Sequence, residues 1–206
     1  MTNEQILSDL SYASQLAKEG ASAPLVGGRI GLMWGCLLSV TLILQWAIMT
    51  QAIDLPLQSL LFVWFAFAVI GGTGSAVMGR ETEKLDGSQS VSNRVEKHVW
   101  LTFCVMMATL FAGVLLDVLL FSGDTTLYNI IVIVAFAGHG FAYGVVGAVS
   151  GAKYLFAASI ASFITAAICI TVYNQDILYL IGGLACLITI VVPSLISLKN
   201  ERENNV

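Results

Sequence analysis

Hydrophobic residues fall into six long runs along the chain, separated by short polar gaps. A helix needs roughly 20 apolar residues to cross a hydrocarbon core of about 30 Å, and each run reaches that length. Because backbone groups find no water inside a bilayer, such runs must close their hydrogen bonds internally, as helices. The pattern predicts six transmembrane helices, near Gly28–Met49, Leu57–Gly79, Val99–Phe121, Leu127–Val149, Tyr154–Val172 and Ile177–Leu198.

The gaps between the runs are short, except for the polar stretch 80–97. Helices joined by so few residues are expected to be antiparallel neighbours, so the predicted fold is an all-α membrane bundle of three hairpins. The predicted organisation is a segment over 1–24, a transmembrane domain over 25–198 with an inner loop at 80–97, and a tail over 199–206. Ile6, Leu7, Leu10 and Leu16 share one face of the first segment, which indicates a short amphipathic helix. It either lies on the membrane surface or binds a partner.

Composition agrees with a lipid environment. Of the 206 residues 57% are hydrophobic and 11% charged, whereas soluble domains carry about 25% charged residues. The net charge of −4 argues against a nucleic-acid partner, which would require a basic face.

Basic residues indicate the orientation, because lysine and arginine near the ends of membrane helices remain cytoplasmic. All nine occur in alternate connections or in the terminal regions: Lys18, Arg29, Arg80, Lys84, Arg94, Lys97, Lys153, Lys199 and Arg202. This distribution predicts that both termini are cytoplasmic. Trp100 and Tyr154 then fall at the inner membrane boundary, where aromatic rings act as interfacial anchors.

Cysteine spacing and catalytic motifs predict neither a metal site nor a cofactor. Cys36, Cys104, Cys169 and Cys186 all lie inside apolar runs and lack the paired CxxC spacing of metal sites. HExxH, a Walker lysine and paired intramembrane acids are absent from the sequence, so no set of residues indicates an enzyme.

Small residues recur at fourth positions inside the runs. Such faces let helix backbones approach closely in lipid, where no hydrophobic force drives helices together. We interpret them as helix-packing positions within the chain, with a homo-oligomer contact or a flexible passage as alternatives. They are Gly27, Gly31, Gly35, Gly71, Ser75, Gly79, Gly140, Gly144, Gly147 and Gly151.

Two ionisable residues lie within the runs and are candidates for function, since burying charge in a membrane is costly. His139 is near mid-membrane with Tyr143 one turn along, and Asp117 is near the outer end of its helix. His139 either bonds to a carbonyl or to a hydroxyl such as Thr73, Ser162 or Thr165, or contacts a ligand, a proton or haem. Asp117 either reaches the headgroups or joins an outer polar cluster with Gln45, Gln58 and Asn129.

Two local patterns concern helix ends and bends. Asn93 and Glu96 have the spacing of a cap for the third helix. Pro193 predicts a kink in the sixth helix, with Ser194 and Ser197 placed to satisfy the carbonyl that proline leaves free.

The segment Ala23-Pro24-Leu25-Val26-Gly27-Gly28-Arg29 resembles the lead-in to the first helix in a family of uncharacterised bacterial six-span inner-membrane proteins, with the pattern APLxGGR. The resemblance implies a bacterial inner-membrane location and no particular activity.

Two functions follow as hypotheses. The first is a small accessory, regulatory or self-associating membrane module that acts through helix contacts with lipid and with a membrane partner or a second copy. The alternative is a small-solute or ion transporter with a site near His139 and Asp117, which requires a water-accessible cavity at mid-membrane.

Overall fold

The computed structural model describes residues 5–7, 10–12, 24–85 and 87–204. Among them there is no strand, and six helices are long and apolar enough to cross a membrane. The predicted all-α membrane bundle is confirmed. Residues 5–7 and 10–12 are helical and exposed, while the remaining positions of the predicted amphipathic helix lie outside the described residues.

Seven α-helices make up the six spans. They are α1 (Gly28–Met49), α2 (Ser59–Thr82), α3 (Val91–Leu120), α4 (Leu127–Ser150), α5 (Lys153–Thr171), α6 (Ile177–Cys186) and α7 (Val192–Asn204). A π-helical turn over Leu187–Val191 joins α6 to α7, so these three elements form the sixth span. The turn comes immediately before Pro193, whose missing N–H removes one bond of a regular helix. The sixth span therefore changes helical type next to Pro193, and the kink remains a prediction.

Helix α3 begins earlier than the hydrophobic pattern indicates. Ser90 caps it, because its Oγ accepts the Asn93 N–H at 3.3 Å. The predicted cap by Asn93 and Glu96 is wrong, since both side chains contact a segment distant in sequence.

Four spans form the core of the bundle. In the apolar windows of α1, α4, α5 and the sixth span, 39%, 44%, 39% and 44% of the residues are buried. The corresponding share is only 6% in α2 and 6% in α3. α2 packs against α1, α3 packs against α4, and α1 packs along the sixth span. The second and third spans are thus attached to the outside of a four-span core.

The second and third spans meet in an ion pair where α2 ends. Lys97 Nζ donates to Glu83 Oε1 at 2.6 Å, and this bond holds the pKa of the Glu83 carboxyl below its usual value. Both side chains are exposed, so the pair adds little to stability.

Candidate functional site

The predicted histidine lies in an aromatic enclosure between α3 and α4. His139 is 8% exposed, and its ring centroid is 4.5 Å from that of Phe103, 5.3 Å from Trp100 and 6.1 Å from Tyr143. Its Nδ1–H donates to the Ala135 carbonyl at 2.9 Å, one turn back on the same helix. The structure therefore brings His139 and Tyr143 together among packed aromatic rings.

None of the three hydroxyls proposed as partners of His139 bonds to it. Thr73, Ser162 and Thr165 each donate to a carbonyl of their own helix, at 2.6, 2.8 and 2.9 Å. Hydroxyls in lipid commonly bond back to the preceding turn because no water competes for them. Of the two kinds of partner predicted for His139, a carbonyl or a hydroxyl, the structure shows a carbonyl, and it belongs to α4 itself.

Below His139, towards the helix ends that carry the basic residues, several polar side chains converge from four elements. We call them the basal cluster: Glu96, Tyr143, Tyr154, Ser194 and Ser197. Tyr143 lies within hydrogen-bonding reach of Ser194, and Tyr154 within reach of Ser197. The Glu96 carboxyl is close enough to both tyrosines to interact electrostatically, and it lies beside the Trp100 indole.

The segment Pro24–Gly27 closes the basal cluster, and we call it the strap. Leu25 is buried in one hydrophobic cluster with Tyr143, Val146, Leu155 and Ala158. A Cβ built on Gly27 would lie 2.7 Å from Glu96 Oε1, so the carboxylate rests directly on the strap backbone. Only glycine permits that approach.

Hydrogen bonds fix the strap from two sides. Asn93 is 4% exposed, accepts the Val26 N–H with Oδ1 at 3.0 Å and donates Nδ2 to the Pro24 carbonyl at 2.9 Å. From α7, the Ser197 hydroxyl donates to the Leu25 carbonyl at 3.3 Å. Because an unpaired buried backbone group costs about 1–3 kcal/mol, these bonds decide whether the strap can be buried.

A second polar group lies at the opposite end of the bundle and includes the predicted Gln45. Its Oε1 accepts the Trp64 indole N–H at 2.8 Å, and Tyr179 lies within reach of its side chain. The Tyr179 hydroxyl donates to Asn129 Oδ1 at 2.5 Å, and Asn129 Nδ2 donates to the Tyr173 carbonyl at 2.8 Å. These bonds link four spans and contain two of the predicted outer residues, Gln45 and Asn129.

Asp117 belongs to neither group. Its carboxyl folds back against Gly123, in the turn that follows α3. It borders an open, mainly apolar groove along α3, lined by Met106, Thr109, Leu110, Gly113, Val114, Asp117 and Leu127. The structure does not bring His139 and Asp117 into one site.

The small residues of α1 are in close contacts. Gly31 faces the Ser194 side chain, and Gly35 faces Ile190 and Val191 of the π-helical turn, with a built Cβ 2.9 Å from each. Gly27 faces Glu96, as described above. The first helix therefore uses its glycines against the sixth span and α3.

Only some of the small residues of α2 and α4 are in close contact with another helix. The Trp34 ring lies on Gly71, and its indole N–H donates to Ser75 Oγ at 2.8 Å. Gly140, Gly144 and Gly147 contact Phe163, Ser159 and Leu155 of α5. Gly151 ends α4 in the left-handed conformation (φ 69°), and a Cβ at Gly79 would meet nothing within 4 Å. These last two glycines are therefore not required by close helix contact.

Sequence reasoning missed most of the basal cluster. Glu96 was predicted to cap α3. Tyr154 and the neighbouring Trp100 were predicted to anchor the helices at the membrane interface. Ser194 and Ser197 were predicted to satisfy the carbonyl that Pro193 leaves free. The available signals were spacings on one helical face, since Asn93, Glu96 and Trp100 are three and four residues apart, as are Ser194, Ser197 and Glu201. Glu201 is buried, and one of its oxygens lies 3.7 Å from Arg29.

Within the described residues, no three histidine, cysteine, aspartate or glutamate side chains are placed to hold a metal ion. The chain matches no protein-family model, no curated protein and no solved structure.

Proposed function

We propose that this protein is a bacterial inner-membrane module that associates with a second copy of itself through α2. The observation that carries the proposal is the division of the bundle: four spans form a core, whereas only 6% of the apolar window of α2 is buried. Lipid contact alone would not require a small-residue surface on such a helix. The exposed side of α2 nevertheless has one.

That surface is a stripe of four small residues on α2, Ala68, Gly72, Ala76 and Gly79. The first three are exposed, and a Cβ at Gly72 or Gly79 would meet nothing within 4 Å. The α1-facing side of α2 is different, since Gly71 and Ser75 are occupied there by Trp34. Among the described residues, nothing therefore packs against the stripe at Gly72 or Gly79.

A second copy fits this stripe because small faces are self-complementary. Two helices that meet along small residues at i and i+4 bring their backbones close enough for extensive van der Waals contact. A two-fold symmetric dimer places the same stripe on both sides of the contact, so no other surface needs to be matched. The stripe spans 12 residues, or about 17 Å of helix at 1.5 Å per residue, which is roughly half of a membrane crossing.

Gly72→Leu is expected to weaken dimerisation at least tenfold, because the side chain would hold the two backbones apart. Energy transfer between labelled copies in liposomes, measured over a range of protein-to-lipid ratios, gives the dissociation constant. Gly113→Leu is the matched control, since Gly113 is an exposed glycine of α3 whose Cβ also meets nothing within 4 Å. Equal effects of the two substitutions, or a wild-type protein that remains monomeric at every ratio, would exclude the α2 contact.

The proposed orientation places both termini in the cytoplasm. It is supported by the nine basic residues, which follow the positive-inside rule. A reporter fused after Val206 should be active only inside the cell, and a cysteine at Gly87 should resist impermeant reagents added outside. External labelling of a cysteine at this position would show that the proposed orientation is wrong.

The enclosure of His139 supports this module over a transporter with its site at mid-membrane. Transport through His139 and Asp117 requires a shared water-accessible space, whereas the two residues lie in separate surroundings. His139 has the environment of a packed side chain, and its polar N–H is satisfied within α4.

A further inference from the structure

The strap and the residues beneath it form an arrangement that self-association does not use. A short non-helical segment covers a group of polar side chains, and its own residues are held by side chains of α3 and α7. Tyr143, Ser194 and Ser197 are buried under it. Polar groups collected beneath a short segment that hydrogen bonds and the packed Leu25 side chain hold in place are what a covered binding site requires.

The Glu96 carboxyl of this site has no cationic partner within the described residues. Their ion pairs join Arg29 to Glu201, Lys97 to Glu83 and Lys199 to Glu203, and none includes Glu96. The titratable groups that face Glu96 are Tyr143 from α4 and Tyr154 from α5. The Trp100 indole adjoins the same carboxyl and packs against the Tyr143 ring, with centroids 5.1 Å apart.

We propose that the basal cluster binds a small organic ammonium ion when the strap lifts, with Glu96 as the counter-ion and Trp100, Tyr143 and Tyr154 as the aromatic walls. Carboxylates and electron-rich aromatic faces both stabilise a desolvated ammonium group. The hydroxyls of Ser194 and Ser197 accept the remaining N–H groups. In the closed structure the Leu25 side chain occupies the apolar part of the site, so an ammonium ion with an alkyl group of leucine size fits the space it vacates.

Asn93→Ala tests the strap, because it removes both side-chain bonds from α3 to Val26 and Pro24. Each net hydrogen bond is worth about 1 kcal/mol, so two lost bonds raise the open population roughly thirtyfold. The reporter is the thiol introduced by Val146→Cys, carried by every variant compared, since Val146 is buried in the same hydrophobic cluster as Leu25 of the strap. Its reaction rate with an aminoethyl methanethiosulfonate reagent, located by peptide mass spectrometry, should rise by that factor.

Asn129→Ala is the matched control. Asn129 also bonds two partners distant in sequence, Tyr179 of α6 and Tyr173 in the loop before it, at the opposite end of the bundle. General loosening would accelerate labelling of the introduced thiol in both variants, whereas a strap that opens on its own accelerates it only in Asn93→Ala. If Asn93→Ala fails to fold, Gly27→Ala replaces it, since the added methyl group displaces Glu96 from the strap. Equal labelling rates in the strap variant and in Asn129→Ala would exclude independent opening of the strap.

The ligand is tested with isobutylammonium as the probe. It should slow labelling of the introduced thiol in Asn93→Ala, and this protection should be lost when Glu96→Gln is combined with Asn93→Ala. Isobutanol, which has the same shape without the charge, should not protect. Absence of protection by the ammonium ion, or protection that survives Glu96→Gln, excludes the ammonium site.

Discussion

Gly183→Leu is expected to lower the free energy of unfolding by roughly 3 kcal/mol, at the upper end of the range for overpacked cores. A Cβ on Gly183 would lie 2.6 Å from Ile43 Cγ1, 3.0 Å from the Ser39 carbonyl oxygen and 3.2 Å from the Ile43 nitrogen. Two of these atoms belong to the α1 backbone and cannot rotate away. The substitution must therefore separate α1 from α6, two helices of the four-span core.

The same displacement breaks a hydrogen bond. The Ser39 hydroxyl is buried and donates to the Gly183 carbonyl at 2.7 Å, so moving α1 leaves it unpaired. Unfolding of the purified protein in mixed micelles, followed by circular dichroism, measures the loss. Gly113→Leu serves as the control because Gly113 lies outside the α2 stripe and its Cβ meets nothing within 4 Å, and it should change stability by less than about 0.5 kcal/mol. Similar losses in both variants would mean that leucine in a membrane helix is harmful regardless of packing.

His139→Ala is expected to destabilise the protein by about 2–4 kcal/mol, because it leaves a cavity between the Trp100, Phe103 and Tyr143 rings. His139→Phe should recover most of this loss, since it restores a planar ring of similar size. The one hydrogen bond it removes goes to the Ala135 carbonyl, which lies one helical turn back and remains available to the helix backbone.

Comparing His139→Ala with His139→Phe separates the contribution of ring packing from that of the imidazole's polarity. Unfolding free energies of the wild-type protein and the two variants are compared under identical conditions. If His139→Phe is as damaging as His139→Ala, the imidazole contributes through its polarity, and its enclosure is not mainly a matter of shape. A phenylalanine variant that folds normally but loses a measurable solute flux would favour the transporter over the proposed module.

Helix positions were largely predictable because the bilayer leaves an apolar run few alternatives. The fourth and sixth spans begin at the predicted residues, Leu127 and Ile177, and the first at Gly28. The third begins at Val91 because Ser90 caps a polar first turn that a hydropathy window excludes. The orientation of the chain termini and of the inner loop remains a prediction from the basic residues.

The candidate site was predictable only where its members share one helix. His139 and Tyr143 are four residues apart, and a helical turn is sufficient to bring them together. Gln45, Asn129 and Tyr179 belong to three spans, and their connection depends on how those spans are rotated. Asp117 shares their depth in the membrane but points into the turn at Gly123.

By itself, the sequence determined that this chain forms six membrane-crossing helices, because twenty apolar residues in lipid have no stable alternative to a helix. Only the tertiary structure decided that four spans form a core while α2 and α3 remain outside it, and that Glu96 rests on Gly27, 69 residues away. The physical reason is that helix formation depends on bonds four residues apart, whereas burial and side-chain partnership depend on which faces of distant helices meet.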